Sequence, residues 1–193
     1  GRENRVELTM DHLLLGTQCG GSSGHSPKAN RALGDAIRLL VALGATAQLS
    51  EVSEWFGAEQ LILMCAQSRE IAQLIFDAIA RFKDELREAG ENVDDNLGAG
   101  NKASGLTLNA EKSLGSIFKC LPAPIVEFIA FGQRSTPKRG GISMVEAVAN
   151  DPRSCTVEVQ AGANMLAFTS GNQTPWGHPL VPTSKLSTDP RMA

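Results

Sequence analysis

Within residues 11–52 the chain changes its hydrophobic period twice, and this constrains the fold more than any other feature. "DHLLLGTQ" is an apolar run of strand length. "KANRALGDAIRLLVALG" places Ala32, Leu33, Ala36, Leu39, Leu40 and Leu43 at helical spacing, with Gly44 as a natural stop, and "ATAQLSEV" alternates as a strand. The same grammar continues. "SEWFGAEQLILMCAQ" reads as a short helix, and from Ser68 the residues Ile71, Ile75, Ile79, Phe82 and Leu86 form one stripe, with Ser68 as N-cap and Gly90 closing it. "PIVEFIAFG", "GGISMVEAV" and "VQAGANMLAFTSG" are further strand candidates. Strands alternating with helices predict an α/β fold: a mostly parallel sheet with helices on both faces in a Rossmann-like three-layer arrangement, as one domain over residues 1–193. "ENVDDNLGAGNKASGLTLNAEKSLG" is too rich in Gly and Asn to read as regular structure.

Composition excludes several classes. No apolar stretch approaches the roughly 20 residues that span a bilayer. A net charge of -3 without a basic cluster argues against nucleic acid as a partner. Cys19, Cys65, Cys120 and Cys155 lie far apart with no CxxC pair, which reads as reduced thiols and a cytoplasmic location. The chain does not begin with Met. Apolar faces left over could meet further domains or another copy, so a homo-oligomer is a possible state.

Three small-residue loops, 16–27, 97–105 and 169–177, each adjoin an apolar element. In a parallel α/β sheet such loops face one rim, where ligands collect. The phosphate-binding GxxxxGK[ST], the zinc motif HExxH and the hydrolase elbow GxSxG are absent, and His12, His25 and His178 lack metal-ligand spacing.

Four segments, "GTQCGGSSGHSPKANRALG", "LSEVSEWFGAEQL", "GAGNKASGLTLNAEKSLGSIFK" and "AFTSGNQTPWG" followed by "VPTSKLST", occur in the order of a known family. Together they resemble the altronate dehydratase and galactarate dehydratase family over nearly the whole chain, "GNKxxGLT" followed by "EKSLG" being the specific combination. The resemblance implies an internal portion of the catalytic region of a longer hydro-lyase. Such an enzyme removes water from a sugar acid, giving a 2-keto-3-deoxy acid, with a divalent metal, commonly Fe2+. Such chemistry needs a base for the proton beside the carboxylate, a cation for the developing enediolate and an acid for the departing hydroxyl. A sulfo-lyase acting on sulfolactate, or a sugar-acid-binding segment without turnover of its own, are the alternative expectations.

On this resemblance Cys19, Lys102, Glu111 and Lys112 are the expected catalytic residues. Cys19 reads equally as a small buried hydrophobe, and the Lys and Glu residues as exposed ion pairs. Ser22, Ser26 and Asn30 at the start of a helix, Asn101, and Thr169 and Ser170 in the last loop are expected to hold substrate; capping and turn chemistry are the plainer readings. Of the acidic cluster Glu51, Glu54 and Glu59, one is expected to serve a helix dipole and two to function, with Glu54 and Glu59 taken as metal ligands. Trp55 reads as packing, and Trp176, in a loop, reads as packing or as a sugar platform. The chain departs from the family pattern at Ser23, where an Asp is usual, at Pro27, where Gly is usual, and at Asn172 and Gln173, where Arg-Gly is frequent.

Overall fold

A computed structural model describes residues 4–136, 140–171 and 174–190. The double change of period becomes a parallel crossover: β1 (Leu14–Gly20) leads into α1 (Ser26–Ala42) and returns as β2 (Thr46–Leu49), with Leu14 opposite Thr46 and Thr17 opposite Leu49. After a 3-10 turn at Val52–Trp55 come α2 (Glu59–Cys65), α3 (Arg69–Ala89), α4 (Ala99–Ala103) and α5 (Asn109–Ile117). The chain then forms β3 (Ile125–Ile129), β4 (Gly141–Val145), α6 (Asp151–Gln160), β5 (Met165–Ser170) and β6 (Thr183–Leu186).

Every strand pairing is parallel, and the sheet order is β3-β4-β2-β1-β5-β6. The expected mostly parallel α/β sheet is therefore present, with helices on both faces. Alternate residues of the central strands serve the two layers. Leu15, Ala47, Leu49, Ile142 and Met144 join Leu33 and Ile37 of α1 and Ile75 and Ile79 of α3 in the main core. Leu166 and Phe168 point the other way, onto Cys155 of α6. Connections leave β1 in one direction through α1 to β2 and reach β5 on its other side through α6. The topology thus switches between β1 and β5, and in such sheets the crevice beyond the carboxyl ends of the strands is the usual ligand position.

The expected helix limits of α3 hold: Ser68 Oγ accepts from Ile71 N at 3.3 Å, and Gly90 closes the helix at φ 73°. Its stripe also faces the core, Ile75 and Ile79 buried and Ile71, Phe82 and Leu86 packed against them. Gly44 ends α1 as expected, with φ 101°, its N–H bonded to Val41 O and the next N–H to Leu40 O. This is the double bond of a Schellman turn, which favours a residue without a Cβ.

The buried face of α1 differs from the expected one. It carries Ala29, Asn30, Leu33, Gly34 and Ile37, whereas Leu39 and Leu43 are exposed. The reason lies in Gly34, where a Cβ would come within 2.1 Å of the Phe118 carbonyl oxygen. Close approach to the end of α5 sets the rotation of the helix, and leucine count does not. The stretch expected to be irregular contains α4 and α5. α5 is recruited because Asn109 Nδ2 donates to Ser53 O at 2.7 Å and its N–H donates to Asp94 Oδ1 at 2.7 Å. α6 and β6 carry no apolar period: the buried face of α6 is Ser154, Cys155, Val157 and Glu158, and β6 is a short edge strand.

Gly34→Ala is expected to destabilise the protein by about 1–3 kcal/mol, the cost of overpacking a tight contact; thermal unfolding measures it.

Candidate functional site

A buried ionic network lies beyond the carboxyl ends of β1 and β2. Glu54, in the 3-10 turn after β2, is 1 % exposed. Its Oε1 is 3.5 Å from Lys112 Nζ and its Oε2 is 3.7 Å from Lys119 Nζ, while Ser116 Oγ donates to Oε2. Lys112 and Ser116 of α5 and Lys119, two residues past its end, recur at helical spacing, so the helix and the turn that follows it present all three groups on one side. The Lys119 side chain is 2 % exposed and that of Lys112 10 %, so Lys112 is the more accessible cation.

Burial by itself disfavours charge on all of these groups. For Glu54 the nearby Lys119 and Lys112, with the Ser116 hydroxyl, outweigh it and hold the carboxyl below its ordinary value. For Lys112 the attraction of Glu54 and Glu51 outweighs burial, and for Lys119 that of Cys19 and Glu54 does; both ammonium groups are held above their ordinary value. The network is therefore ionised near neutral pH. Glu51, three residues before Glu54, responds oppositely: burial, reinforced by Glu54, pushes its carboxyl well up. Gln18 Nε2 donates to Glu51 Oε1 at 2.8 Å and to Asp151 Oδ1 at 3.0 Å, tying the network to the first turn of α6.

Cys19 adjoins this network on β1. Its Sγ is 3.2 Å from Asn30 Oδ1 and 3.7 Å from Ser116 Oγ. Thr169 Oγ1 approaches the same sulfur at 3.5 Å and donates to Asn30 Oδ1 at 2.6 Å. Asn30 Nδ2 in turn donates to Gly115 O at 3.0 Å, which joins α1, α5, β1 and β5 at one point.

Of the residues singled out from the sequence, Cys19, Asn30, Thr169, Glu54 and Lys112 converge. Ser22, Ser26 and Ser170 line the rim. The Ser22 carbonyl accepts from Asn101 Nδ2 at 2.8 Å, Ser26 Oγ accepts from Ser23 N at 2.8 Å, and Ser170 Oγ accepts from Thr174 N at 3.0 Å. Asn101 also accepts from Gly98 N at 3.0 Å, so it laces α4 to the first loop.

Three expected residues stand apart. Lys102 is exposed. Glu111 is exposed too, and its Oε2 accepts from Thr107 N at 2.7 Å and Leu108 N at 3.1 Å, capping α5; those backbone donors lower its carboxyl from the ordinary value. Glu59 accepts from Gly57 N at 2.7 Å and pairs with Lys83 at 3.0 Å, beside a 580 Å³ cleft lined also by Phe56, Leu86 and Asn109. It thus has the helix-start role expected of one acidic residue, while Glu51 and Glu54 are the pair that meet. Glu54 and Glu59 serve different partners, and among the described residues no three His, Cys, Asp or Glu side chains converge as a metal centre. The described residues do not fit a complete divalent-metal site.

Lys119, Gln18 and Ser116 were not among the site residues expected from the sequence, and Glu51 was expected only as one of the three acidic residues of the cluster, without an assigned role. The spacing of Lys112, Ser116 and Lys119 in "EKSLGSIFK" was the available signal. At the departures from the family pattern, Pro27 occupies the first turn of α1, where its missing N–H costs nothing. Ser23 Oγ accepts from His25 N at 3.2 Å. Asn172 and Gln173 lie outside the described residues. Trp55 is fully buried and Trp176 packs against Phe168, 6.4 Å between ring centroids, as packing predicts.

In three-layer parallel α/β proteins ligands commonly collect at the carboxyl edge of the sheet, and that is where this chain gathers these ionisable groups. The particular family follows from comparison: residues 10–193 match the family described as D-galactarate/altronate dehydratase, C-terminal, and the chain belongs to it. It is 34% identical over 188 residues to an altronate dehydratase of Bacillus subtilis, covering 97% of this chain and 37% of that protein. It is 36% identical over 193 residues to a galactarate dehydratase (L-threo-forming) of Escherichia coli, covering 100% and 36%. A (2R)-sulfolactate sulfo-lyase subunit beta of Chromohalobacter salexigens is 28% identical over 191 residues, covering 97% and 49%. The chain spans little more than a third of the length of the dehydratases it matches. No helix among the described residues is long and apolar enough to cross a membrane.

On the opposite face of the sheet, burial raises the Glu158 carboxyl to about 8, with only partial compensation from Ser50, Lys119 and the Thr17 N–H. A carboxyl that binds its proton more tightly folded than unfolded lowers stability as pH rises from the ordinary carboxylate range to that value. The melting temperature is expected to fall between pH 5 and 8 and to fall less in Glu158→Gln, as thermal unfolding across that range measures.

Proposed function

We propose that this chain carries part of the active site of a sugar-acid hydro-lyase. In the full-length protein it would help remove water from an altronate-like or galactarate-like acid to leave a 2-keto-3-deoxy acid. The observation that carries the reading is the buried Glu54 carboxylate shared by Lys112 and Lys119 at the carboxyl edge of the sheet, in a chain of this dehydratase family.

The elimination takes the proton from the carbon beside the substrate carboxylate and expels the neighbouring hydroxyl as water; the resulting enol tautomerises to the 2-keto acid. Charge accumulates on the carboxylate as an enediolate, and a preorganised cation in a water-poor site lowers its energy most. Lys112 is the cation placed to do this, being the more accessible of the two. Its raised pKa keeps it protonated, which suits it to stabilise the enediolate by its charge and unsuits it as the base. Glu54 holds it there, and Lys119 and Ser116 hold Glu54. Cys19, Asn30 and Thr169 form the wall beside it, and Ser22, Ser26 and Ser170 offer the rim groups for substrate hydroxyls.

The base, and a divalent metal such as the Fe2+ implied by the family resemblance, are proposed to draw on groups outside the described residues. A cytoplasmic setting fits four free thiols.

The test is anaerobic incubation of the full-length protein and Fe2+ with altronate, galactarate and (2R)-sulfolactate, scoring 2-keto-3-deoxy acid and sulfite. Keto acid from a sugar acid is the expected result, and sulfite release alone overturns it in favour of a sulfo-lyase. Lys112→Met is expected to lower kcat by about 100-fold or more, as loss of a charge-stabilising donor does. Glu111→Gln is expected to leave kcat near wild type and lower only the melting temperature.

A further inference from the structure

Glu51 stands at φ 67° and ψ 83°, the one non-glycine residue with positive φ among the described residues. The left-handed region costs free energy for any residue with a Cβ and persists only where the surroundings enforce it. Here they do so. Val52 N donates to Ala147 O at 3.0 Å and Glu54 N donates to Glu51 O at 2.8 Å, so the backbone is tied immediately after the strained residue. Glycine or asparagine would take this turn more easily. A glutamate that is 3 % exposed, at a position better suited to glycine, is explained by its side chain.

The residue is held at its side chain and at its backbone. Its Oε1 accepts from Gln18 Nε2 at 2.8 Å and from Asn150 N at 3.2 Å, the latter being the residue that caps α6. Toward the network its backbone carbonyl accepts from Glu54 N at 2.8 Å. Gln18 is itself oriented, because Ser154 Oγ donates to its Oε1 at 2.9 Å, which leaves its amide nitrogen free to donate to Glu51 and Asp151. The charged and titratable groups around Glu51 are thus Glu54 from its own turn, Lys112 from α5 and Lys119 just past its end, and, through Gln18, Asp151 of α6.

We propose that Glu51 is a positioning residue: anchored by Gln18 and Asn150, it holds the left-handed turn from which Glu54 faces Lys112 and Lys119 together. It does so through the reach of its side chain and its hydrogen bonds, with no requirement for its own charge. The strained backbone is retained because this turn aims the carboxyl at both anchors. The catalytic consequence rests on the proposed hydro-lyase reading.

The experiment compares the full-length wild type with Glu51→Gln, which keeps the reach and loses the charge, and Glu51→Asp, which keeps the charge and loses one methylene. Gln18→Met releases the anchor from the other side. Each is measured for melting temperature, for kcat and KM on the sugar acid, and for the rate at which acetic anhydride labels Lys112, read by mass spectrometry. Glu51→Gln is expected to match wild type in all readouts. Glu51→Asp and Gln18→Met are expected to lose about tenfold or more in kcat with little change in KM, since small misplacements act on the transition state. In both, Lys112 labels several-fold faster because its ion pair is loosened. Loss of kcat in Glu51→Gln equal to that in Glu51→Asp overturns the proposal, as does Lys112 labelling unchanged in both Glu51→Asp and Gln18→Met. Wild type inert toward every acid, with the labelling order intact, overturns the hydro-lyase reading and leaves the positioning role standing.

Discussion

A carboxylate removed from water is tolerable only where cations and hydrogen-bond donors replace its hydration, and Glu54 imposes that condition on everything around it. Lys112 and Lys119 supply the charge and Ser116 the hydroxyl, from one side of α5 and the turn that follows it. α5 must therefore lie against the 3-10 turn, which is why Asn109 bonds Ser53 and why α1 needs a glycine at position 34 to let the end of α5 approach. Removing one partner from a buried pair typically costs about 3–5 kcal/mol, because the remaining charge is stranded. The arrangement is thus kept whole or not at all.

The central strand β1 extends this polar interior through the sheet. Its odd-numbered residues near the carboxyl end, Thr17 and Cys19, serve the α1 and α5 side, where Cys19 meets Asn30 and Ser116. Gln18 points to the other layer and bonds Glu51, Asp151 and Ser154. One amide thereby couples the first turn of α6 to the lysine network across the plane of the strands. A strand carrying so many satisfied polar groups at its end, and aliphatic residues such as Leu15 at its start, separates a packed half of the domain from a chemical half. That division follows the switch in strand order between β1 and β5.

How much of this was legible can be argued residue by residue. α3 could be read because its apolar stripe, serine cap and glycine stop all agree. α6 could not, since its buried face includes Ser154 and Glu158 and offers no hydrophobic period. α1 was found but rotated, because Leu39 and Leu43 look like core residues and are exposed. Among the site residues, Cys19, Asn30, Thr169, Glu54 and Lys112 meet as a cluster drawn from five separate segments. Glu111 and Lys112 illustrate the limit. They are neighbours in sequence and about 100° apart around a helix, so one caps the helix in solvent and the other enters the ionic network.

Sequence alone determined the class of fold, because alternation of strand and helix periods permits few layer arrangements, and it determined the family, because its motifs recur in order along the chain. It also determined which loops would meet at one rim. Only the tertiary structure decided which charges are buried. Burial depends on the rotation of α5 and the left-handed turn at Glu51, and both are set by contacts between residues far apart in the chain. The difference between a solvated lysine and a buried one, Lys102 and Lys119, is written in those contacts and in no local pattern.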